Sequence, residues 1–199
     1  MKKYPLSPLC AMLLAAAVLL GIPLCGCGKK TADWATPHDA GDLSFTPTVY
    51  YANYGKICLL YDASVDEVTT IEDEDTVCIS NIGGGAYSLA VSYASGTKTE
   101  DEAKADAMSL LSGNQTLVSL SEPERYSARD ASNCYRIRAV DKDGNACVLQ
   151  YGNTKTGHFQ IVYVIAQEAT DAQASHLLEI LQTVTFGQYS DNDIVFVGE

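Results

Sequence analysis

The residues whose types and spacing most clearly predict a chemical reaction lie at the end of an apolar run near the start of the chain, in the stretch Leu24-Cys25-Gly26-Cys27. The run follows the short positive start Met1-Lys2-Lys3 and leads into small residues. This arrangement is typical of an export signal rather than of a folded helix. The pattern therefore predicts that the protein leaves the cytoplasm, and it places two thiols close to the end of the leader.

The same stretch resembles the lipobox of bacterial lipoproteins, with Leu24 three positions before the cut, Gly26 directly before it and Cys27 as the acceptor. Cys25 is a poor acceptor, because the bulky Leu24 would then occupy a site that needs a small side chain. The resemblance implies that residues 1–26 are a signal peptide and that Cys27 becomes a diacylglyceryl thioether, which holds the protein on the outer side of the cell membrane. An ordinary secretory signal and an uncleaved membrane helix stay open, since the run approaches the ~20 residues that span a bilayer.

The charge of the chain restricts its partners. A net charge of −12 at pH 7 repels nucleic acid and anionic headgroups, so we expect no nucleic-acid binding and a membrane contact through lipidated Cys27 alone. Arg136 and Arg138 belong to the only basic cluster and share the strand face opposite Ile137. They could bind an acidic protein partner, or they could pair with the acidic first helix. Ordinary ion pairing is the favoured interpretation.

Four cysteines follow Cys27, and each lies inside a predicted strand: Cys58, Cys78, Cys134 and Cys147. None of them forms a Cys-x-x-Cys pair, so the spacing predicts no metal site. Their apolar neighbours are typical of small buried thiols, whereas an exported location permits disulfides. Free thiols and one bridge therefore stay open, and Cys58–Cys78 is the most plausible bridge.

No set of residues in the sequence is recognisable as catalytic. His38, His158 and His176 pair with no nucleophile in a known arrangement, and we expect neither an enzyme nor a cofactor. The acidic run 72–75 and the segment 141–145 could suggest calcium, but a hairpin turn already explains the second.

Runs of apolar and β-branched residues between turn residues predict short strands over 57–61, 76–82, 86–93, 134–140, 146–151 and 158–166. A capping box at Thr99 predicts a first helix over about 100–112. A second box at Thr170 predicts a helix that ends near Phe186. This order is typical of an α+β fold with a mostly antiparallel sheet of about six or seven strands packed by two main helices.

The segment 141–145 also predicts a pairing register. Residues 137 and 139 must share a face with 149 and 151, which requires a three-residue loop with Gly144 in the left-handed region. Position 139 then faces 147, so Cys134 and Cys147 lie on opposite faces of the sheet and cannot form a cross-strand disulfide.

The capped helix after the third strand, the aromatic strand 157–165 and the closing helix with Leu181-Gln182-Thr183-Val184-Thr185-Phe186 resemble the Mog1/PsbP-like α/β/α sandwich. The resemblance covers about 55–187. We expect a lipidated tether over 27–46, one domain over 47–187 and an extension over 188–199 that is a candidate edge strand.

Known members of that superfamily are mostly binding or assembly factors. The resemblance therefore implies a non-enzymatic binding or assembly module for a protein or another envelope partner. The alternatives are a small-ligand or ion receptor associated with a transporter or sensor, which needs a deep pocket, and an envelope hydrolase with an unrecognised site.

Overall fold

A computed structural model of the protein describes residues 43–52, 56–70, 76–112, 114–128 and 131–186. The predicted signal peptide with Leu24 and Gly26, the acceptor Cys27, the acidic run 72–75 and the extension 188–199 lie outside these residues. Our expectations for those segments stay predictions from the sequence.

The described strands and helices follow one another along a single chain. The strands are β1 (Thr48–Ala52), β2 (Ile57–Tyr61), β3 (Asp66–Thr70), β4 (Thr76–Asn81), β5 (Tyr87–Ser95), β6 (Leu117–Leu120), β7 (Glu124–Arg125), β8 (Ser132–Asp141), β9 (Ala146–Asn153), β10 (Gly157–Ile165) and β11 (Thr185–Phe186). The helices are α1 (Glu100–Ser112) and α2 (Asp171–Thr183).

An eight-stranded antiparallel sheet forms the centre of the fold, in the order β3-β4-β5-β10-β9-β8-β6, with β7 also paired to β8. A smaller sheet has the order β1-β2-β11. The α+β class with two helices and an antiparallel sheet is confirmed, but the expected six or seven strands were wrong. The strands β3, β6 and β7 are short and largely exposed, so they lack the apolar alternation that marks a strand in sequence.

The two faces of the large sheet carry separate cores. One face packs against α2 and the smaller sheet, through Leu89 and Ile161 of the sheet and Leu177 and Ile180 of the helix. The other face packs against α1 through a cluster that includes Ala103, Ala107, Leu110, Leu111, Ile137, Leu149 and Tyr151. Neither described helix has the length and apolar character needed to cross a lipid bilayer.

The β8–β9 hairpin has the predicted register. Ile137 faces Leu149 and Ala139 faces Cys147, and Gly144 has a φ of +83°. The loop is stabilised by the buried Asp141, whose Oδ1 accepts hydrogen bonds from the backbone N–H groups of Asp143 and Asn145 at 2.9 Å each. A hairpin turn thus accounts for the acidic residues of this segment.

The cysteines of the described residues are buried. Cys134 packs in the core on the α2 side, whereas Cys147 packs with Ala139 on the opposite face, as the register predicts. Cys58 carries a free thiol, so the Cys58–Cys78 bridge is not formed. Burial raises the pKa of the Cys58 and Cys147 thiols to about 11, which keeps both in the unreactive thiol form at neutral pH.

Both helices begin at the predicted capping boxes. The Thr99 backbone N–H donates to Glu102 Oε2 at 2.8 Å, and the box at Thr170 is complete. The second helix ends at Thr183 rather than near Phe186, because Thr185 and Phe186 pair with β2 as β11.

Ser44 and Phe45, which the sequence predicts to be part of the tether, contact α2. Ser44 donates from its backbone N–H and its hydroxyl to Glu179 Oε2 at 2.9 and 2.8 Å. The ring of Phe45 meets the ring of His176 edge-on at 4.8 Å between centroids. The folded unit therefore begins earlier than residue 47. The sequence did not predict this, because the packing of Phe45 is a tertiary contact that no local pattern encodes.

Candidate binding surface

Arg136 and Arg138 are presented by the alternation of β8. The neighbouring residues Ile137 and Ala139 point into the cores under α1, so the two arginines face the other side of the sheet. This is the face that the sequence predicts for them. The strand β7 then brings Glu124 directly opposite Arg136.

One carboxylate oxygen of Glu124 accepts hydrogen bonds from both guanidinium groups. Arg138 Nη1 donates to Glu124 Oε2 at 2.7 Å, and Arg136 Nη2 donates to the same oxygen at 3.2 Å. The guanidinium of Arg136, followed by that of Arg138, lowers the pKa of Glu124 below its usual range. Ordinary ion pairing is thus the observed state of both arginines, but their acceptor lies on β7 and not on the first helix.

The arginines border a half-buried strip of the sheet. Arg138 faces Val148 on β9, and Val148 faces Tyr163 on β10, while Arg136 faces Gln150. Burial raises the pKa of the Tyr163 phenol, and the arginines nearby oppose that shift. The Arg138 row therefore continues through the half-buried Val148 to the buried Tyr163, while Arg136 lies in the neighbouring row beside Gln150.

The hydrogen bonding of this surface is incomplete. Arg136 Nε is buried and has no hydrogen-bond partner among the residues that the structure describes. Side-chain exposures of 28% for Arg136, 55% for Arg138 and 50% for Glu124 leave the ion pairs open to solvent. Within this group of three side chains, two positive charges face one negative charge.

A second polar cluster surrounds the buried carboxylate of Asp66, which is 3% exposed. Its Oδ1 accepts a hydrogen bond from the Tyr87 hydroxyl, and its Oδ2 accepts from His176 Nε2 at 2.9 Å and from the Asp62 backbone N–H at 3.0 Å. Burial, and then the bond to Asp66, raises the pKa of Tyr87. The cluster joins the starts of β3 and β5 to α2.

Sequence reasoning missed this cluster, because no local pattern links His176 to Asp66, which lies 110 residues away. The imidazole of His176 is half-buried between Asp66 and Phe45. A carboxylate and an imidazole in contact can position a general base. In the part of the chain that the structure describes, no serine or cysteine hydrogen-bonds to this imidazole, so the pair lacks a nucleophile.

A third polar site lies where α1 meets β9 and β10. Lys98 and Asp106 form an ion pair beside a cavity of about 10 Å³, which has room for about one water molecule. His158 lines the cavity and contacts the Gly96 carbonyl oxygen through Nδ1 at 2.8 Å, and burial lowers its pKa. Among the described residues, no group of three or more histidine, cysteine or carboxylate side chains is placed to hold a metal ion.

Comparison with known proteins identifies no family. The chain matches no protein-family model and no curated protein. A solution structure of cyanobacterial PsbP (CyanoP) from Synechocystis sp. PCC 6803 aligns with 11% identity and a TM-score of 0.47, over 74% of this chain and 96% of that one.

A crystal structure from Bacteroides thetaiotaomicron VPI-5482 aligns with 11% identity and a TM-score of 0.42, over 73% of this chain. The chain spans about half of that protein, at 49% of its length. At these identities and TM-scores, neither structure transfers a function or a partner to this chain.

Proposed function

We propose that this protein is a lipid-anchored, extracytoplasmic and non-enzymatic binding module, which engages a protein or another envelope partner through the Arg136–Arg138 surface. The observation that carries the proposal is the sharing of one Glu124 oxygen by both guanidinium groups. The anchor at Cys27 rests on the lipobox of the sequence.

The composition of the surface supports a role in binding. Arginine and tyrosine are enriched in protein interfaces, where they combine apolar contact area with directed hydrogen bonds. Here the exposed Arg138 lies beside the half-buried Val148, while Tyr163 of the same row is buried in the core below. A local excess of positive charge is also the exception in a chain of net charge −12.

The negative net charge of the chain favours a partner that presents a few acidic groups at one place rather than a uniformly anionic partner. The chain as a whole repels a polyanion, while two arginines can attract a single acidic group at short range. We therefore favour a folded or extended protein with exposed carboxylates over an anionic polymer. The small cavity at Lys98 and the imidazole of His176 supply no comparable support for a small-ligand receptor or a hydrolase.

The binding proposal is tested by crosslinking the lipidated protein in its native membrane and purifying it with its partners. We expect a specific protein with the wild type, and at least a tenfold lower yield with the double variant Arg136→Glu and Arg138→Glu, because both cations become repulsive. The matched control is Lys142→Glu with Lys155→Glu, which reverses two charges at exposed turns. Equal recovery with all three proteins, or recovery of background alone, contradicts the proposal.

The anchor is tested separately by Cys27→Ser. We expect loss of lipid labelling and release from the membrane fraction, because the acceptor thiol is absent. Cys25→Ser is the matched control, and it should stay labelled. A Cys27→Ser protein that is still lipid-labelled and membrane-bound contradicts the anchor without affecting the binding surface.

A further inference from the structure

We propose that Glu124 is an internal competitor, which occupies the Arg136–Arg138 surface until a carboxylate of an acidic partner protein replaces it. The inference rests on the proposed function of the same surface and adds the chemistry of the partner group. It also gives Glu124 of β7 a role as a displaceable side chain.

The ion pairs of Glu124 with Arg136 and Arg138 are weak. The glutamate side chain is half exposed, and exposed ion pairs contribute little to stability because water and salt screen them. The strand that carries it has only two residues, Glu124 and Arg125, and both are exposed. Removing the Glu124 side chain from the arginines therefore disrupts few other contacts.

The arginines have hydrogen-bonding capacity that Glu124 does not use. Both donate to its Oε2, while Arg136 Nε is a buried donor without a partner among the described residues. A buried donor without a partner is costly, and a guanidinium binds a carboxylate best through two parallel N–H groups. A carboxylate bound to Arg136 through Nε and Nη2 satisfies this donor, and Arg138 stays available to a second oxygen.

Arg136 Nε is buried in the present arrangement, so an incoming carboxylate reaches it only when the groups around it move. Tyr126 directly follows β7 and interacts electrostatically with Arg136. Tyr126 also packs against the core and donates its backbone N–H to the Cys134 carbonyl oxygen at 3.0 Å, so the exchange involves the Glu124 side chain and not the whole strand.

The surroundings favour a carboxylate on a protein over a free or polymeric anion. The strip beside the arginines carries the half-buried Val148, which fits an apolar side chain next to an acidic residue. The acidic chain repels polyphosphates, and the cavity at Lys98 does not include these arginines. An acidic side chain flanked by apolar ones matches each of these features.

The test measures binding of the peptide rhodamine-Leu-Glu-Leu-Glu-Leu-amide, labelled at its N-terminus, to the lipidated full-length protein in detergent micelles. We expect Glu124→Gln to bind the peptide about two- to fivefold more tightly than the wild type, because the internal competitor is gone. The matched control is Glu122→Gln, an exposed glutamate two residues away, which should bind like the wild type. Arg136→Lys should bind at least about fivefold more weakly, since lysine cannot form the bidentate pair.

Several results overturn the inference. The first is that Glu124→Gln binds the peptide no more tightly than the wild type does, or does not bind it at all at millimolar peptide. The second is that a peptide with glutamine in place of both glutamates binds as tightly as the glutamate peptide. Displacement of the peptide by inorganic phosphate at concentrations where acetate has no effect would overturn the assignment to a carboxylate. In each of these cases the double variant Arg136→Glu and Arg138→Glu can still lose the native partner in the crosslinking test. The proposed function is therefore tested independently of the role of Glu124.

Discussion

Two carboxylates, Asp66 and Glu124, each lie at the centre of a polar cluster, and they differ in burial and in the use of their oxygens. Asp66 is 3% exposed and accepts three hydrogen bonds that involve both oxygens. Glu124 has a half-exposed side chain and offers one oxygen to two arginines. A buried carboxylate with both oxygens hydrogen-bonded holds its elements together in the folded state. An exposed carboxylate that offers one oxygen to two arginines can be replaced by another carboxylate.

The two clusters also differ in what they connect. Asp66 on β3 bonds to Tyr87, 21 residues away, and to His176, 110 residues away. Among the described residues, the side chain of Glu124 accepts hydrogen bonds from the adjacent strand, at separations of 12 and 14 residues. Loss of the first cluster should therefore weaken the whole fold, and loss of the second should affect binding alone.

The strongest test of this difference is Asp66→Ala. We expect the free energy of unfolding to fall by about 3 kcal/mol or more, because the Tyr87 hydroxyl and His176 Nε2 lose their acceptor inside the protein. Urea denaturation followed by circular dichroism measures the change. The control is Asp143→Ala in the exposed β8–β9 turn, and similar losses for both variants would show that Asp66 has no special role.

A smaller effect is expected when a single donor is removed from Asp66. Tyr87→Phe should lower the free energy of unfolding by about 2 kcal/mol, since a hydrogen bond to a charged acceptor is lost. The matched control is Tyr151→Phe, because the Tyr151 hydroxyl is equally buried but has no partner among the described residues. That change should be neutral or stabilising, and the reverse order would contradict our account of both tyrosines.

The sequence predicted the features that local patterns encode. The capping boxes at Thr99 and Thr170 and the register of Ala139 with Cys147 are confirmed, because each depends on residues close together in the chain. The edge strands were missed, since a strand such as Asp66–Thr70 with one apolar side chain shows no alternation. The contact of Asp66 with His176 was missed because no local pattern links residues 110 positions apart.

The candidate surface was predicted only in part. Alternation along β8 is enough to place Arg136 and Arg138 on one face. Their acceptor was not found, because Glu124 lies in a segment whose two-residue strand carries no apolar pattern. A charged residue on an irregular segment is positioned by the strand that it pairs with, and this pairing is a tertiary contact.

The titration of Glu124 gives a further test of the exposed cluster. We expect a carboxyl pKa below the ordinary value of about 4.3, with a rise toward that value in Arg136→Gln. The lowered pKa means that the ion pairs are present above the ordinary carboxyl range and are lost as the pH falls through the folded-state value. Carbon-13 NMR of the side-chain carboxyl measures it, and equal pKa values in both proteins would show that Arg136 does not stabilise the charge.

The smallest expected effect is that of Glu124→Gln on stability. The substitution keeps the size of the side chain and removes a charge that water already screens, so the urea midpoint should stay within experimental error of the wild type. Asp66→Asn, the same chemical change at the buried carboxylate, should shift the midpoint clearly to lower urea, because the amide nitrogen cannot accept a hydrogen bond. If the two shifts were equal, the Glu124 side chain would be a fixed part of the fold, and it could not leave the arginines without a loss of stability. A large shift at Asp66 with none at Glu124 is the result that an exchangeable carboxylate requires.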